Sequence, residues 1–141
     1  MIQILIALIF SIIIAQLIDF IISFVRTKKF DLKKLWGTGG FPSSHAAGVS
    51  TLSTAIYLTE GISMSFVVAL ALTFVVCRDA VGVRREVGTH AKELNKISKT
   101  KRFNELSGHT PFQVFGGIVL GIIVAMIFMW FPHKPNINHP Y

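Results

Sequence analysis

The stretch IQILIALIFSIIIAQLIDFIISFV, residues 2–25, is an almost unbroken apolar run and decides the class of fold. A helix needs about 20 apolar residues to cross the hydrocarbon core of a bilayer, so this run predicts a membrane-spanning helix. The rest of the chain agrees, because 52% of its 141 residues are hydrophobic and only 15% are charged. Ordinary soluble domains are more polar. The sequence therefore predicts one membrane-embedded domain over residues 1–141.

Further apolar runs predict additional helices that form a bundle with the first one. Residues 44–59 are rich in Ala, Ser, Thr and Gly, residues 64–77 return across the membrane, and residues 112–131 form a last span. Small residues allow membrane helices to pack closely, so the second helix is expected to be central. This pattern leaves open whether its partner is the same chain or a second copy in a homodimer.

A different pattern precedes the last span. Apolar residues recur at helical spacing in the polar stretch 79–108, as an amphipathic helix at the membrane surface requires. They are Val83, Val87, Ala91, Leu94 and Ile97. The predicted fold is thus all-α: an integral membrane helical bundle of about four transmembrane helices and one interfacial amphipathic helix.

Positive charge is concentrated on one predicted side of the membrane. With four spans, the first and third connections hold 13 of the 14 Lys and Arg residues. They are Arg26, Lys28, Lys29, Lys33, Lys34, Arg78, Arg84, Arg85, Lys92, Lys96, Lys99, Lys101 and Arg102. Cytoplasmic loops carry such an excess, so this face is predicted to be cytoplasmic. The net charge of +7 then has anionic membrane lipids as its nearest partners, which argues against nucleic acid.

Three polar motifs interrupt the apolar pattern at the ends of predicted helices. They are GGFPSSH (residues 39–45), RDAVGVRR (residues 78–85) and ELSGHTPFQV (residues 105–114). An even number of membrane crossings separates each pair, so all three are expected at one face. A single site at that face is therefore predicted.

Each motif contains residue types suited to phosphate chemistry. A helix start after Pro42 offers free N–H groups and the hydroxyls of Ser43 and Ser44 to an anion, although such a cluster is more often only a cap and turn. Arg84 and Arg85 present permanently charged forks that match phosphate oxygens, or alternatively anchor an interfacial helix to lipid.

Two histidines, His45 and His109, can act as nucleophile or general acid near neutral pH. His90 and the tail residues His133 and His139 fit a structural role better. With only one cysteine, Cys77, no internal disulfide or cysteine metal site is possible, and neither metal nor cofactor is needed.

An ionisable residue in the first span is a separate anomaly. Asp19 lies about 10 Å of helical rise before Arg26, just beneath the basic face. Charged groups inside a membrane are costly and tend to find partners. Arg84 or Arg85 is the expected partner, and a partly protonated carboxyl paired elsewhere in the bundle is the alternative.

The segments GGFPSSHAAGVSTLS, DAVGVRREVG and ELSGHTPFQVFGGIVLG together resemble the divergent branch of the type 2 phosphatidic acid phosphatases, which are related to the vanadium haloperoxidases. The resemblance covers nearly the whole chain. It implies that His109 is a nucleophile that becomes phosphohistidine and that His45 is the general acid that protonates the leaving oxygen. Ser43 and Ser44 would then hold phosphate oxygens.

The chain also departs from the broader superfamily. Gln113 stands where the superfamily places Asp four residues after the nucleophile, and we expect Asp79 to replace that carboxylate. The superfamily's own arginine positions are absent or out of register, and Arg84 and Arg85 are expected to replace their charge.

The expected function is that of a membrane lipid phosphatase. Its substrate would be a phosphomonoester such as phosphatidylglycerol phosphate or phosphatidic acid, with polyprenyl pyrophosphate as a further candidate. Two other classes stay open: a catalytically inactive relative that binds anionic lipid or phosphate, and a lipid transporter or scramblase subunit that uses Asp19 as part of a polar path.

Overall fold

The computed structural model describes residues 1–28, 39–105 and 107–130. These residues form five helices and no strand, which confirms the all-α prediction. The helices are α1 (Ile2–Thr27), α2 (Ser44–Glu60), α3 (Met64–Val81), α4 (Val83–Ser98) and α5 (Pro111–Trp130). The predicted basic residues Lys29, Lys33 and Lys34 and the tail histidines His133 and His139 lie outside the described residues.

Three helical stretches in the described ranges are long and apolar enough to cross a membrane. They are α1, the run Met64–Ser98 that contains α3 and α4, and α5. The remaining predicted span, α2, has 17 residues and packs against α1, α3 and α5. Because protein surrounds α2, its side chains do not need to be strongly apolar. The prediction that the small-residue helix is central is confirmed.

The packing of α2 against α5 depends on two glycines one turn apart. A Cβ on Gly117 would overlap the carbonyl oxygen of Ser43, and a Cβ on Gly121 would overlap that of Ala47. Thr51 Oγ1 also donates to the carbonyl oxygens of Ala47 (2.8 Å) and Gly121 (3.1 Å). Gly-x-x-x-Gly spacing allows this close approach of two membrane helices. The small-residue face of α2 is therefore used within one chain.

The amphipathic helix is shorter than the polar stretch that predicts it, because α3 extends to Val81 and α4 ends at Ser98. The apolar residues of α4 are largely exposed, with Val83 66% and Ile97 77% accessible. Ala91 differs from the other members of the predicted stripe, since it is buried together with Gly88 and Asn95 on the neighbouring face of the helix. The helix thus has one face free for lipid and one face covered by protein.

Candidate active site

Contacts between backbone groups bring the three polar motifs together at one end of the bundle. The N–H of Ser43, before α2, donates to the carbonyl of Gln113 in α5 at 3.0 Å. The N–H of His109 donates to the carbonyl of Ala80, near the end of α3, at 2.9 Å. The bond between Ser43 and Gln113 joins segments that are more than 60 residues apart in the sequence. The convergence predicted from the order of the spans is present.

The two candidate catalytic histidines face one another at this end. The rings of His45 and His109 have centroids 6.5 Å apart and planes inclined by 65°. The two imidazoles are therefore neighbours at this end of the bundle, in an edge-to-face arrangement.

The environments of the two histidines differ. His45 lies in the first turn of α2 and is exposed, whereas His109 precedes α5 and is only 5% accessible. Nδ1 of His109 is buried, and no described residue forms a hydrogen bond with it. A buried ring nitrogen without a hydrogen-bond partner is uncommon in folded proteins and calls for an explanation.

Burial sets the protonation state of His109. It lowers the pKa of this imidazole below the ordinary value of 6.5, and the charges of His45 and Arg84 lower that pKa further. The neutral imidazole, which carries a free lone pair, is therefore favoured at neutral pH. His109 is in the form that a nucleophile requires.

Arg84 lies close enough to His109 for its charge to oppose protonation of that imidazole. Arg84 donates from Nε to Oδ2 of Asp79 at 2.5 Å, and the two side chains are 43% and 37% accessible. The terminal guanidinium nitrogens form no bond with the described residues and remain available to an anion. Asp79 is thus a partner of Arg84, and it forms no hydrogen bond with His109 in the described part of the chain. Arg85 is exposed beside this pair.

The serines at the start of α2 have different positions. Ser43 is fully buried, and its hydroxyl accepts a hydrogen bond from the N–H of Ala46 as the N-cap of the helix. Ser44 is half-buried, and its hydroxyl has no partner among the described residues. The cap that we weighed against phosphate binding is therefore present at Ser43, while Ser44 leaves its hydroxyl free.

Gln113 connects the first and third motifs. Its side-chain oxygen accepts from the N–H of Thr110 at 2.7 Å, and its side-chain nitrogen donates to the carbonyl of Gly39 at 2.9 Å. The Thr110 hydroxyl in turn accepts from the N–H of Gln113, which completes a capping box. Sequence reasoning missed this role, although Thr-x-x-Gln before an apolar run is a known signature of a helix start. The residue that replaces the superfamily Asp is thus bonded to backbone and not to His109.

Asp19 fixes the loop that precedes α2. Its Oδ1 accepts from the N–H of Phe41 at 3.0 Å, and a Cβ on Gly40 would overlap the carboxyl group. The expectation that Arg84 or Arg85 pairs with Asp19 is wrong, because the only ion pair among the described residues joins Arg84 to Asp79. A backbone donor reaches Asp19 since glycine lets the loop lie directly against α1.

His90 is exposed on α4 and lines a groove between α3 and α4 that also includes Arg78 and Asp79. No three His, Cys, Asp or Glu residues within the described ranges lie close enough together to hold a metal ion. The groups that the described residues bring to the site are imidazole, guanidinium, hydroxyl and the carboxylate of Asp79.

Comparison with known proteins agrees with this arrangement. The family model described as the Divergent PAP2 family matches residues 2–124. The chain is 34% identical over 142 aligned residues to the uncharacterized membrane protein YuiD of Bacillus subtilis strain 168. This alignment covers 86% of the chain and 90% of YuiD. No solved structure matches the chain. A match that includes all three motifs and four of the five helices shows that this membrane protein belongs to the Divergent PAP2 family.

Proposed function

We propose that the protein hydrolyses a lipid phosphomonoester through a phosphohistidine intermediate. The observation that carries this proposal is the pair of histidines with ring centroids 6.5 Å apart beside the unoccupied guanidinium nitrogens of Arg84. Membership of a PAP2-related family supports the same reaction class.

Each group has a chemical role in the first step. A ring nitrogen of neutral His109 attacks phosphorus and forms an N–P bond while the bond from phosphorus to the lipid oxygen breaks. Protonated His45 transfers its proton to that oxygen, so the lipid leaves as a neutral alcohol. Arg84 and the Ser44 hydroxyl stabilise the charge on the remaining phosphate oxygens, which is usually the largest contribution to such catalysis.

The second step regenerates the enzyme. Water attacks phosphorus, the N–P bond breaks, and the water proton passes to His45, which now acts as a base. Inorganic phosphate leaves, and both histidines return to their starting states. Asp79 holds Arg84 in place throughout, and Arg85 adds positive charge at the entrance.

The substrate class follows from location. The site lies at the end of a membrane bundle where positive charge collects, so an anionic headgroup at the membrane surface reaches it while its tails stay in lipid. We assign the site to the cytoplasmic face from this charge distribution. Phosphatidylglycerol phosphate and phosphatidic acid are the preferred candidates, and polyprenyl pyrophosphate is the third.

One observation favours a second candidate function. Nδ1 of His109 has no hydrogen-bond acceptor in the described part of the chain, and Gln113 stands where the superfamily has a carboxylate. A relative that binds phosphate headgroups without turnover would have this arrangement.

Phosphate release from the three lipids by the detergent-purified protein distinguishes the two functions. Hydrolysis of one lipid that disappears in both His109→Ala and His45→Ala is the expected result. If all three lipids stay intact while vanadate raises the melting temperature of the wild-type protein, the site binds phosphate and does not catalyse its release.

A further inference from the structure

The segment that carries His109 runs along the inner face of α4 and is fastened to it by one buried side chain. Asn95 is only 5% accessible and lies in the last turn of α4. Its amide nitrogen donates to the carbonyl of Phe103 and to Oε1 of Glu105, both at 2.8 Å, and its amide oxygen accepts from the N–H of Phe103 at 2.9 Å. Every described contact of this amide is therefore with the segment that leads to His109.

Glycines allow the same segment to lie directly on the helix. A Cβ on Gly88 would lie 2.5 Å from the carbonyl oxygen of Ser107, and a Cβ on Gly108 would overlap the backbone of Arg85. Gly108 also has a φ of 84°, which side chains disfavour. The chain therefore follows α4 from Asn95 back towards Arg85, and His109 comes at the end of this path.

The His109 ring is buried, and no hydrogen bond from the described residues fixes its orientation. Its backbone N–H is bonded to the carbonyl of Ala80, but no described residue hydrogen-bonds to its imidazole. An orienting acceptor such as the carboxylate that usually accompanies a catalytic histidine is not available from Gln113, whose amide is bonded to Thr110 and Gly39. The position of the ring thus depends on the backbone of the segment before it.

We propose that Asn95 is a positioning residue for His109: it fixes Phe103 and Glu105 on α4 and so sets the path of the backbone towards the imidazole that attacks. The catalytic consequence rests on the proposed phosphatase function, whereas the effect on the His109 ring does not. Asn95 itself contacts none of the residues assigned to phosphate. Its loss should therefore reduce kcat and leave KM nearly unchanged.

Two substitutions separate positioning from general stability. Asn95→Leu removes all three bonds. Asn95→Asp keeps the acceptor for Phe103 N–H but places a carboxylate oxygen against the Phe103 carbonyl and Glu105. Adding Glu105→Gln to Asn95→Asp supplies a donor again and restores one lost bond. Glu93→Gln, on the exposed side of the same helix, is the matched control.

Kinetics on the lipid substrate give the first readout. A misplacement near 1 Å costs roughly 10²-fold in rate, so kcat should fall by about that factor in Asn95→Asp and recover in part when Glu105→Gln is added. KM should change by less than about threefold, since the phosphate contacts lie elsewhere. Equal loss in Asn95→Asp and in the double variant, or a rise in KM without a fall in kcat, would overturn the proposal.

A second readout does not need turnover. Diethyl pyrocarbonate modifies accessible neutral imidazoles, and mass spectrometry reports the rate at His109 and at His45 separately. His109 should react slowly in the wild type and severalfold faster in Asn95→Asp, with partial protection again in the double variant and no change in Glu93→Gln. His45 should react at one rate in all four proteins. An unchanged His109 rate in Asn95→Asp would refute positioning by Asn95 even if the wild-type protein hydrolyses lipid, and a changed rate would support it even if hydrolysis fails.

Discussion

The two histidines of the candidate site are held in different ways. His45 belongs to the first turn of α2, and its position follows from the close packing of α2 on Gly117 and Gly121 of α5. His109 belongs to a connecting segment whose place is set by backbone contacts with Ala80 and with α4. His45 is thus part of a helix of the bundle, whereas His109 lies in a connecting segment that packs against α3 and α4.

This difference suggests a division of roles. A general acid tolerates exposure because it exchanges its proton with water, and His45 is exposed. A nucleophile must be aligned, and His109 is buried with its backbone N–H bonded to the carbonyl of Ala80. In the proposed mechanism, the bundle would hold the general acid, and the segment packed on α4 would align the nucleophile.

Removal of the Arg84 guanidinium should have the largest effect on the rate of hydrolysis. Arg84→Ala eliminates the guanidinium that stabilises the phosphate oxygens, and loss of one such donor typically lowers kcat by about 10²–10³-fold. Arg84→Lys should recover only a small part, since an ammonium cannot bond Asp79 and phosphate with the same planar fork. Steady-state hydrolysis of the lipid substrate measures both. Full activity in Arg84→Ala would remove this residue from the site.

The packing of α2 on α5, which positions His45, can be disrupted by a substitution in α5. Gly117→Ala forces a methyl group against the Ser43 carbonyl, whereas Gly116→Ala meets only the outer edge of the Phe41 ring. Overpacking against backbone costs about 1–3 kcal/mol, and a side chain can move away at less cost. Thermal unfolding in detergent should show a clearly lower melting temperature for Gly117→Ala than for Gly116→Ala. Equal melting temperatures would mean that α2 and α5 are less tightly packed than described.

Gln113 connects the start of α5 with the segment before α2. The Asp that the broader superfamily carries at this position can be introduced there. Gln113→Asp shortens the side chain and removes the donor to the Gly39 carbonyl, with a cost of about 1 kcal/mol. Because position 113 faces Thr110 and Gly39, the new carboxylate should not raise kcat. Gln113→Glu, which retains the acceptor for Thr110 N–H, is the control. A faster enzyme with Asp at this position would show that the carboxylate reaches His109.

The smallest expected effect concerns pH. The folded protein holds the pKa of His109 below 6.5, so the stability that depends on neutral His109 is present above pH 6.5 and is lost as pH falls through the lowered value. Melting temperatures across this range should fall more for the wild type than for His109→Gln. NMR titration of labelled histidine should give a His109 pKa below 6.5 that rises in Arg84→Gln. A His109 pKa above 6.5 in the wild type would contradict the assignment of a neutral nucleophile.

Much of the bundle was predictable because the forces that build it act locally along the chain. Hydrophobic length predicted the spans, and small residues predicted that α2 is central. The three motifs were placed at one face by counting crossings alone. The ends of α3 and α4 were less accurate, since a polar stretch does not show where one helix ends and the next begins.

The details of the site depended on contacts between distant segments. Asp19 accepts a hydrogen bond from the backbone N–H of Phe41, which can approach because Gly40 has no side chain, and no charge pattern indicates this bond. Asn95 gave no sequence signal, since its bonds are to a segment that returns along the helix. Gln113 did give one, the Thr-x-x-Gln capping box, which the comparison with the superfamily Asp obscured.

The most direct test of the account compares leaving groups in pre-steady-state experiments with substrate in excess over enzyme. Nitrophenolate leaves without protonation, whereas a lipid alkoxide needs a proton. His45→Ala should therefore retain a burst of nitrophenolate release from p-nitrophenyl phosphate while losing about 10²–10⁴-fold on the lipid phosphomonoester. His109→Ala should show no burst with either substrate. Equal loss on both substrates in His45→Ala, or a burst that survives in His109→Ala, would contradict the assignment of His45 as acid and His109 as nucleophile.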